Sequence, residues 1–199
     1  MKQTDLLRKT ADKLQQYKEV KELLIGFDGF VDEIIHVVDK RRGKEEYDRI
    51  SKISDFSDRI ASVAGLSANI ELVPTQVKLG GNGPIMANAI ISQGQKVTYI
   101  GAIGNPYIDP VFKPFAESCH RVISLTDPGH TDALEFYDGK IMLGKMNNLV
   151  DVNIDALLQE SKEEELMQIL SEADMVAFTN WTMLANLNGI IEYFSRLME

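Results

Sequence analysis

The apolar positions of this chain change period along its length. In residues 3–22, Leu6, Leu7, Ala11, Leu14, Tyr17 and Val20 share one helical stripe with lysines and acids opposite, which predicts an amphipathic helix. The continuous apolar run LLIGF (23–27) has the length of a buried strand and stops at the turn pair Asp28-Gly29. Glu33 to Val38 predicts a second short strand, KRRGKEEYDR (40–49) a charged loop, and residues 51–65 a helix closed by Gly65. ELVPTQVKL (71–79) reads as extended, with Pro74 assigning its first half to a sheet edge.

Gly80-Gly81-Asn82-Gly83-Pro84 then makes a tight glycine-rich turn. Pro84 stands where a helix begins, because proline lacks an N–H that the first turn leaves unpaired anyway. The helix IMANAIISQ (85–93) ends at Gly94, and KVTYIGAIG (96–104) is a strand running into another glycine turn. Turn, helix and strand in this order point to an α/β crossover. Beyond it, 109–119 predicts a short helix and 120–125 a strand. Residues 132–146 predict a hairpin centred on Asp138-Gly139, a pair that favours the type I′ turn. Residues 154–171 predict one acidic amphipathic helix, ADMVAFTN (173–180) a buried-type strand, and a last helix starts near Leu184. The fold class is α/β, with extended segments that stand apart from the main layer of strands.

Composition narrows the function. With 199 residues, 44% hydrophobic and 26% charged, the chain has the make-up of a globular domain. No apolar run approaches the roughly 20 residues that span a bilayer, and the N-terminus has no secretory h-region, so the cytoplasm is the expected compartment. One cysteine, Cys119, excludes internal disulfides and cysteine-rich zinc sites. The net charge of −9 argues against a nucleic-acid partner. The acids concentrate late: residues 151–199 hold 10 acidic and 2 basic side chains, so an anionic ligand is expected nearer the first two thirds.

Two places have the chemistry of a site. Asp28 and Asp32 lie just beyond an apolar strand, where open α/β sheets gather their ligands. An ionised carboxylate there accepts hydrogen bonds from vicinal hydroxyls, although Asp28 also reads as a simple turn former. The glycine turn offers close backbone approach and free N–H groups at a helix N-terminus. It fits neither the dinucleotide fingerprint, having Met86 where the third glycine belongs, nor a Walker A loop. His36, His120 and His130 lack metal-ligand spacing, and Trp181 reads either as core or as a stacking platform.

In order, these segments resemble the start of the ribokinase-like carbohydrate kinases, the PfkB family. GGNGPIMANAIISQGQKVTYIGAIG (80–104) is similar to that family's first signature without gaps, and LLIGFDGFVDEI to its first strand. The resemblance covers roughly 23–199. It implies a three-layer α/β/α core, incomplete in this chain, with a small β-sheet lid drawn from about 34–38, 66–79 and, as a further candidate, 132–146. It implies transfer of the ATP γ-phosphoryl group, with magnesium, to a hydroxyl of a sugar, sugar derivative or nucleoside. Asp32, or alternatively Asp28, would hold substrate hydroxyls, Gly80, Gly81 and Asn82 would line the pocket, and Asn180 falls in the expected order behind them. The lid would also be a homodimer surface.

The chain departs from the family pattern at Ile85, where an asparagine is usual, and at Asn105-Pro106, where an acidic pair is common. The stretch between Asp32 and Gly80 is long. No Gly-Ala-Gly-Asp turn and no Asn-x-x-Glu segment is found, so the resemblance implies no catalytic residue in these 199 residues and no bound ATP or magnesium. The expectation is the N-terminal, substrate-binding portion of a kinase, inactive alone, with the ATP-binding part absent. A naturally short, non-catalytic ligand-binding or interaction protein with the same half-fold is the alternative. An unrelated α/β nucleotide-binding domain is a third.

Overall fold

The structure, a computed structural model, describes residues 3–16 and 19–199. Helix α1 (Gln3–Gln16) forms as predicted but ends earlier, leaving Val20 beyond it. Leu6 and Leu7 of its stripe are exposed, and the side chains of Ala11, Leu14 and Tyr17 lie outside the described residues.

β1 (Glu22–Phe27) is the centre of a parallel sheet. It pairs with β5 (Lys96–Ala102) on one side and β9 (Met175–Phe178) on the other, and β6 (Arg121–Thr126) flanks β5. Apolar side chains on both faces are what a parallel sheet between helices requires. Leu23 and Ile25 join a cluster with Val97, Tyr99 and Phe115 under α3 (Asn82–Ser92) and α4 (Lys113–Ser118). Leu24 and Phe27 join Ile100, Leu157, Leu166 and Phe194 under α5 (Ile154–Glu160), α6 (Glu163–Glu172) and α7 (Leu187–Leu197). The result is a three-layer α/β/α arrangement.

Between β1 and α3 the chain leaves this layer and builds a second sheet. β2 (Phe30–Arg41) is twelve residues long, far longer than the strand expected at 33–38. It pairs antiparallel with β4 (Leu72–Gly80) and with β3 (Tyr47–Arg49), the latter inside the stretch predicted as a loop. β7 (Gly129–Phe136) lies parallel to β2, and β8 (Gly139–Lys145) closes the hairpin. Residues 66–71 form no strand. Ile35, Val37, Leu134 and Phe136 give this sheet its own core, capped by Ile53 and Phe56 of α2 (Ile53–Ser62).

Three local expectations are corrected. Residues 154–171 form two helices, because buried Ser161 and then Lys162 adopt extended backbone; the Ser161 hydroxyl donates to the Leu157 carbonyl as α5 ends. β9 is a half-exposed edge strand rather than a buried one. The hairpin turns on Tyr137-Asp138, with Gly139 already paired to Phe136, and neither Tyr137 nor Asp138 has the positive φ of a type I′ turn. Contacts from far along the chain fix it: Ile53 N–H at the start of α2 donates to Asp138 Oδ1 at 3.0 Å, and Tyr137 N–H donates to the Ser51 carbonyl.

Candidate functional site

Two of the four links between the sheets meet at the carboxyl end of β1. The chain goes out through Asp28-Gly29 and returns through Gly80-Gly81, and Phe30 and Gly80 pair where β2 and β4 begin to run together. Asp28, fully buried, holds this junction. Its Oδ1 accepts from Gly83 N–H at 2.8 Å and from the Thr179 hydroxyl at 2.9 Å. Its Oδ2 accepts from Asn82 N–H and from the Asn180 side-chain amide, both at 2.7 Å. A carboxylate has about four acceptor sites, and four donors reach it, the Thr179 hydroxyl sharing its one proton with the Gly26 carbonyl at 3.0 Å. The Asp28 charge also faces the positive end of the α3 dipole. The N–H groups of Asn82 and Gly83, expected to be free for a ligand, are therefore already taken by Asp28.

Thr179 and Tyr99 complete this knot, and neither was singled out in the sequence. Tyr99 is buried and its hydroxyl donates to the Asp28 carbonyl. Burial, and then the Asp28 charge, push the Tyr99 phenol well above its ordinary range, so it stays a donor. Asn180 has a φ of 59°, a left-handed conformation that asparagine tolerates better than most residues. That turn aims its amide at Asp28.

Asp32 has the opposite character. It lies one strand-turn further out on β2, opposite Lys78 of β4 and Thr131 of β7, and is half-buried. Among the described residues its carboxylate has no hydrogen-bond partner, and no buried side-chain polar atom is left unpaired, so its oxygens reach solvent. It sits over Gly80: a Cβ there would lie 2.2 Å from Asp32 Oδ2. At Gly81 a Cβ would lie 2.8 Å from Asp28 Oδ2, and the φ of 98° independently favours glycine. Adjacent glycines thus admit two carboxylates, one saturated by the protein and one open. Asn82 is exposed beside them.

The remaining candidates lie apart. Trp181 is 75% exposed, so it is not core, and Ile85 on the first turn of α3 is exposed too. Asn105 fastens the loop after β5, donating to the carbonyls of Ser124 and Leu125 and to Glu160 Oε1. Burial raises the Cys119 thiol to about 12, which makes it a poor nucleophile. Among the described residues no three His, Cys, Asp or Glu side chains converge as a metal site, and no described helix is long and apolar enough to cross a membrane.

Solved carbohydrate kinases share this architecture. A possible 1-phosphofructokinase from Thermotoga maritima superposes with a TM-score of 0.53 at 15% identity, over 88% of this chain and 49% of that one. A ribokinase from Cryptococcus neoformans var. grubii serotype A, in complex with ADP, gives 0.50 at 15% identity, over 89% of this chain and 45% of that one. These likenesses establish a ribokinase-like fold. A ketohexokinase of Haloferax volcanii is 28% identical over 172 residues, which is 84% of this chain and 45% of the relative. The chain thus spans about half the length of the relatives it matches. Across that half the family model described as prokaryotic ketohexokinase matches residues 3–196, and the chain belongs to that family.

Proposed function

We propose that these residues form the acceptor-binding half of an ATP-dependent sugar kinase whose acceptor is a ketohexose. The observation that carries this reading is the Asp28–Asp32 contrast across Gly80-Gly81, at the mouth between a parallel sheet and a mixed one. Asp32 is an open, ionisable acceptor at the place where vicinal hydroxyls of a neutral polyol would be gripped. Asp28, with Asn82, Thr179, Asn180 and Tyr99 around it, keeps the start of α3 and the ends of β1 and β9 in register beneath it. The second sheet acts as a lid: its inner face approaches the sugar and excludes water, so that the donor is not lost to hydrolysis.

Asp32 orients the acceptor hydroxyl rather than removing its proton. Phosphoryl transfer depends on in-line positioning and on charge stabilisation at the phosphates. On this reading the Mg²⁺-ATP side is assigned to no residue of this chain. Such a kinase works in the cytoplasm. The test is an ATP-dependent phosphorylation assay of the whole protein against a panel of ketohexoses, aldohexoses, sugar phosphates and nucleosides. Turnover greatest on a ketohexose supports the reading. A preference for nucleosides or sugar phosphates, or ligand binding with no turnover on any of them, overturns it.

A further inference from the structure

On the second sheet, away from Asp32, three side chains lock into a fixed proton pattern. The Arg49 guanidinium lies 2.7 Å from His36 Nε2, and His36 Nδ1 lies 3.0 Å from the Tyr47 hydroxyl oxygen. Arginine only donates, so Nε2 is the acceptor, the ring proton sits on Nδ1, and Tyr47 oxygen receives it. The Tyr47 hydroxyl proton is then left to donate elsewhere. Arg49 also stacks on Tyr137, its Cζ 4.0 Å from the ring centre. Its neighbours Arg41, Arg42 and Arg59 each meet a carboxylate within 4 Å; among the described residues Arg49 meets none. The nearby acids are engaged already, Asp48 by Arg42 at 2.6 Å and Glu135 by Lys140 at 2.9 Å, with Glu135 3.8 Å from His36 Nε2.

These groups open on a cavity of about 480 Å³ lined by His36, Tyr47, Asp48, Arg49, Ser51 and Tyr137. We propose that this cavity binds a phosphate-like oxyanion, held by the spare N–H groups of Arg49 and the hydroxyls of Tyr47 and Ser51. Donors arriving from separate directions suit a tetrahedral anion with several acceptor oxygens, and a guanidinium fork fits two of them at once. Stacking on Tyr137 holds the fork in place beforehand, so little freedom is lost on binding. Asp32, four residues before His36 along β2, is not among the residues that line this cavity, and the proposal does not depend on the kinase reading.

The site has a built-in reporter. Burial, and then the Arg49 charge, hold the His36 imidazole below its ordinary range, while Glu135 pulls it up. An anion on Arg49 offsets that positive charge, so it must raise the His36 titration midpoint, and by linkage a protonated His36 must bind the anion more tightly. The experiment is an NMR titration of His36 in the full chain from pH 5 to 8. It compares sodium sulfate, which keeps its charge over this range, with sodium chloride at equal ionic strength, and His36→Gln assigns the resonance. The midpoint is expected to rise by about half a pH unit or more in sulfate, with the difference lost in Arg49→Gln and partly kept in Arg49→Lys. Competition by glycerol phosphate at lower concentration than inorganic phosphate identifies a phosphate ester, and the reverse order the free ion. Equal midpoints in the two salts overturn the proposal whether or not the variants fold, as does a sulfate effect that survives Arg49→Gln.

Discussion

Asp28 and Asp32 are four residues apart in sequence, yet opposite environments separate their consequences. Asp28→Ala would leave the Asn82 and Gly83 N–H groups and the Asn180 amide without their acceptor, at roughly 1–3 kcal/mol for each buried donor left unsatisfied. Its expected signature is a large fall in the denaturation midpoint at unchanged m-value, read by urea titration. Asp32→Ala removes an open carboxylate and should leave that midpoint nearly unchanged. It should instead raise the KM for sugar in the whole protein, with kcat/KM falling about 10–100-fold, as expected for the loss of one or two charge-assisted hydrogen bonds. Gly80→Ala tests the same geometry from the other side, since its methyl must push the Asp32 carboxylate away. It should raise KM although the Asp32 residue itself is unchanged in sequence. An Asp32→Ala protein with unchanged KM would remove the carboxylate from the substrate site. The sequence alone could offer both aspartates but could not rank them, because saturation of Asp28 depends on Thr179 and Asn180, some 150 residues away.

At the scale of elements, what was legible depended on how local the determining interactions are. Strands β1 and β5 and helix α3 were readable because buried apolar runs bounded by glycine need no distant information. The helix break at Ser161-Lys162 was not, since it rests on how α5 and α6 dock on one sheet face. The hairpin's existence was legible but its turn was not, because Asp138 serves as the N-terminal cap of α2, whose own N-cap residue Lys52 supplies no side-chain bond. The full length of β2 was hidden by mixed polarity: Asp32, Glu33 and His36 interrupt its apolar pattern, and the parallel neighbour β7 is nearly a hundred residues on. Local caps make a measurable contrast. Asn153 Oδ1 accepts from Ala156 N–H at 2.9 Å at the start of α5, so Asn153→Ala should cost about 1 kcal/mol in equilibrium unfolding. The second sheet has a pH dependence of definite sign. His36 is held below its unfolded value, so it contributes stability that is present above about pH 6.5 and lost as pH falls through its folded value. Hydrogen exchange of β2 and β7 amides should therefore accelerate from pH 7 to pH 5 once corrected for intrinsic rates, and His36→Gln should flatten that trend.

For the whole molecule, the distribution of charge and of open donors separates two kinds of ligand. On the proposed reading, a neutral sugar meets no long-range repulsion and would find the Asp32 carboxylate open. ATP meets a chain of net charge −9 whose last 49 residues hold 10 acids against 2 bases. The one glycine-rich helix start in the parallel layer, at α3, already has a carboxylate on its first N–H groups, so its dipole is spent on Asp28. A polyphosphate therefore has no preorganised cradle between the helices and strands described here. For residues 1–199 alone, calorimetry should give an ATP affinity weaker than about 1 mM, a weak binding free energy of roughly −4 kcal/mol at most, and phosphoryl transfer should be undetectable. Lowering the salt should not rescue binding, because reduced screening strengthens repulsion by the acidic surface as much as any attraction. Micromolar ATP affinity in this chain would mean that the nucleotide finds donors among the described residues other than α3, and the division into an acceptor-binding half and a nucleotide-binding half would fail.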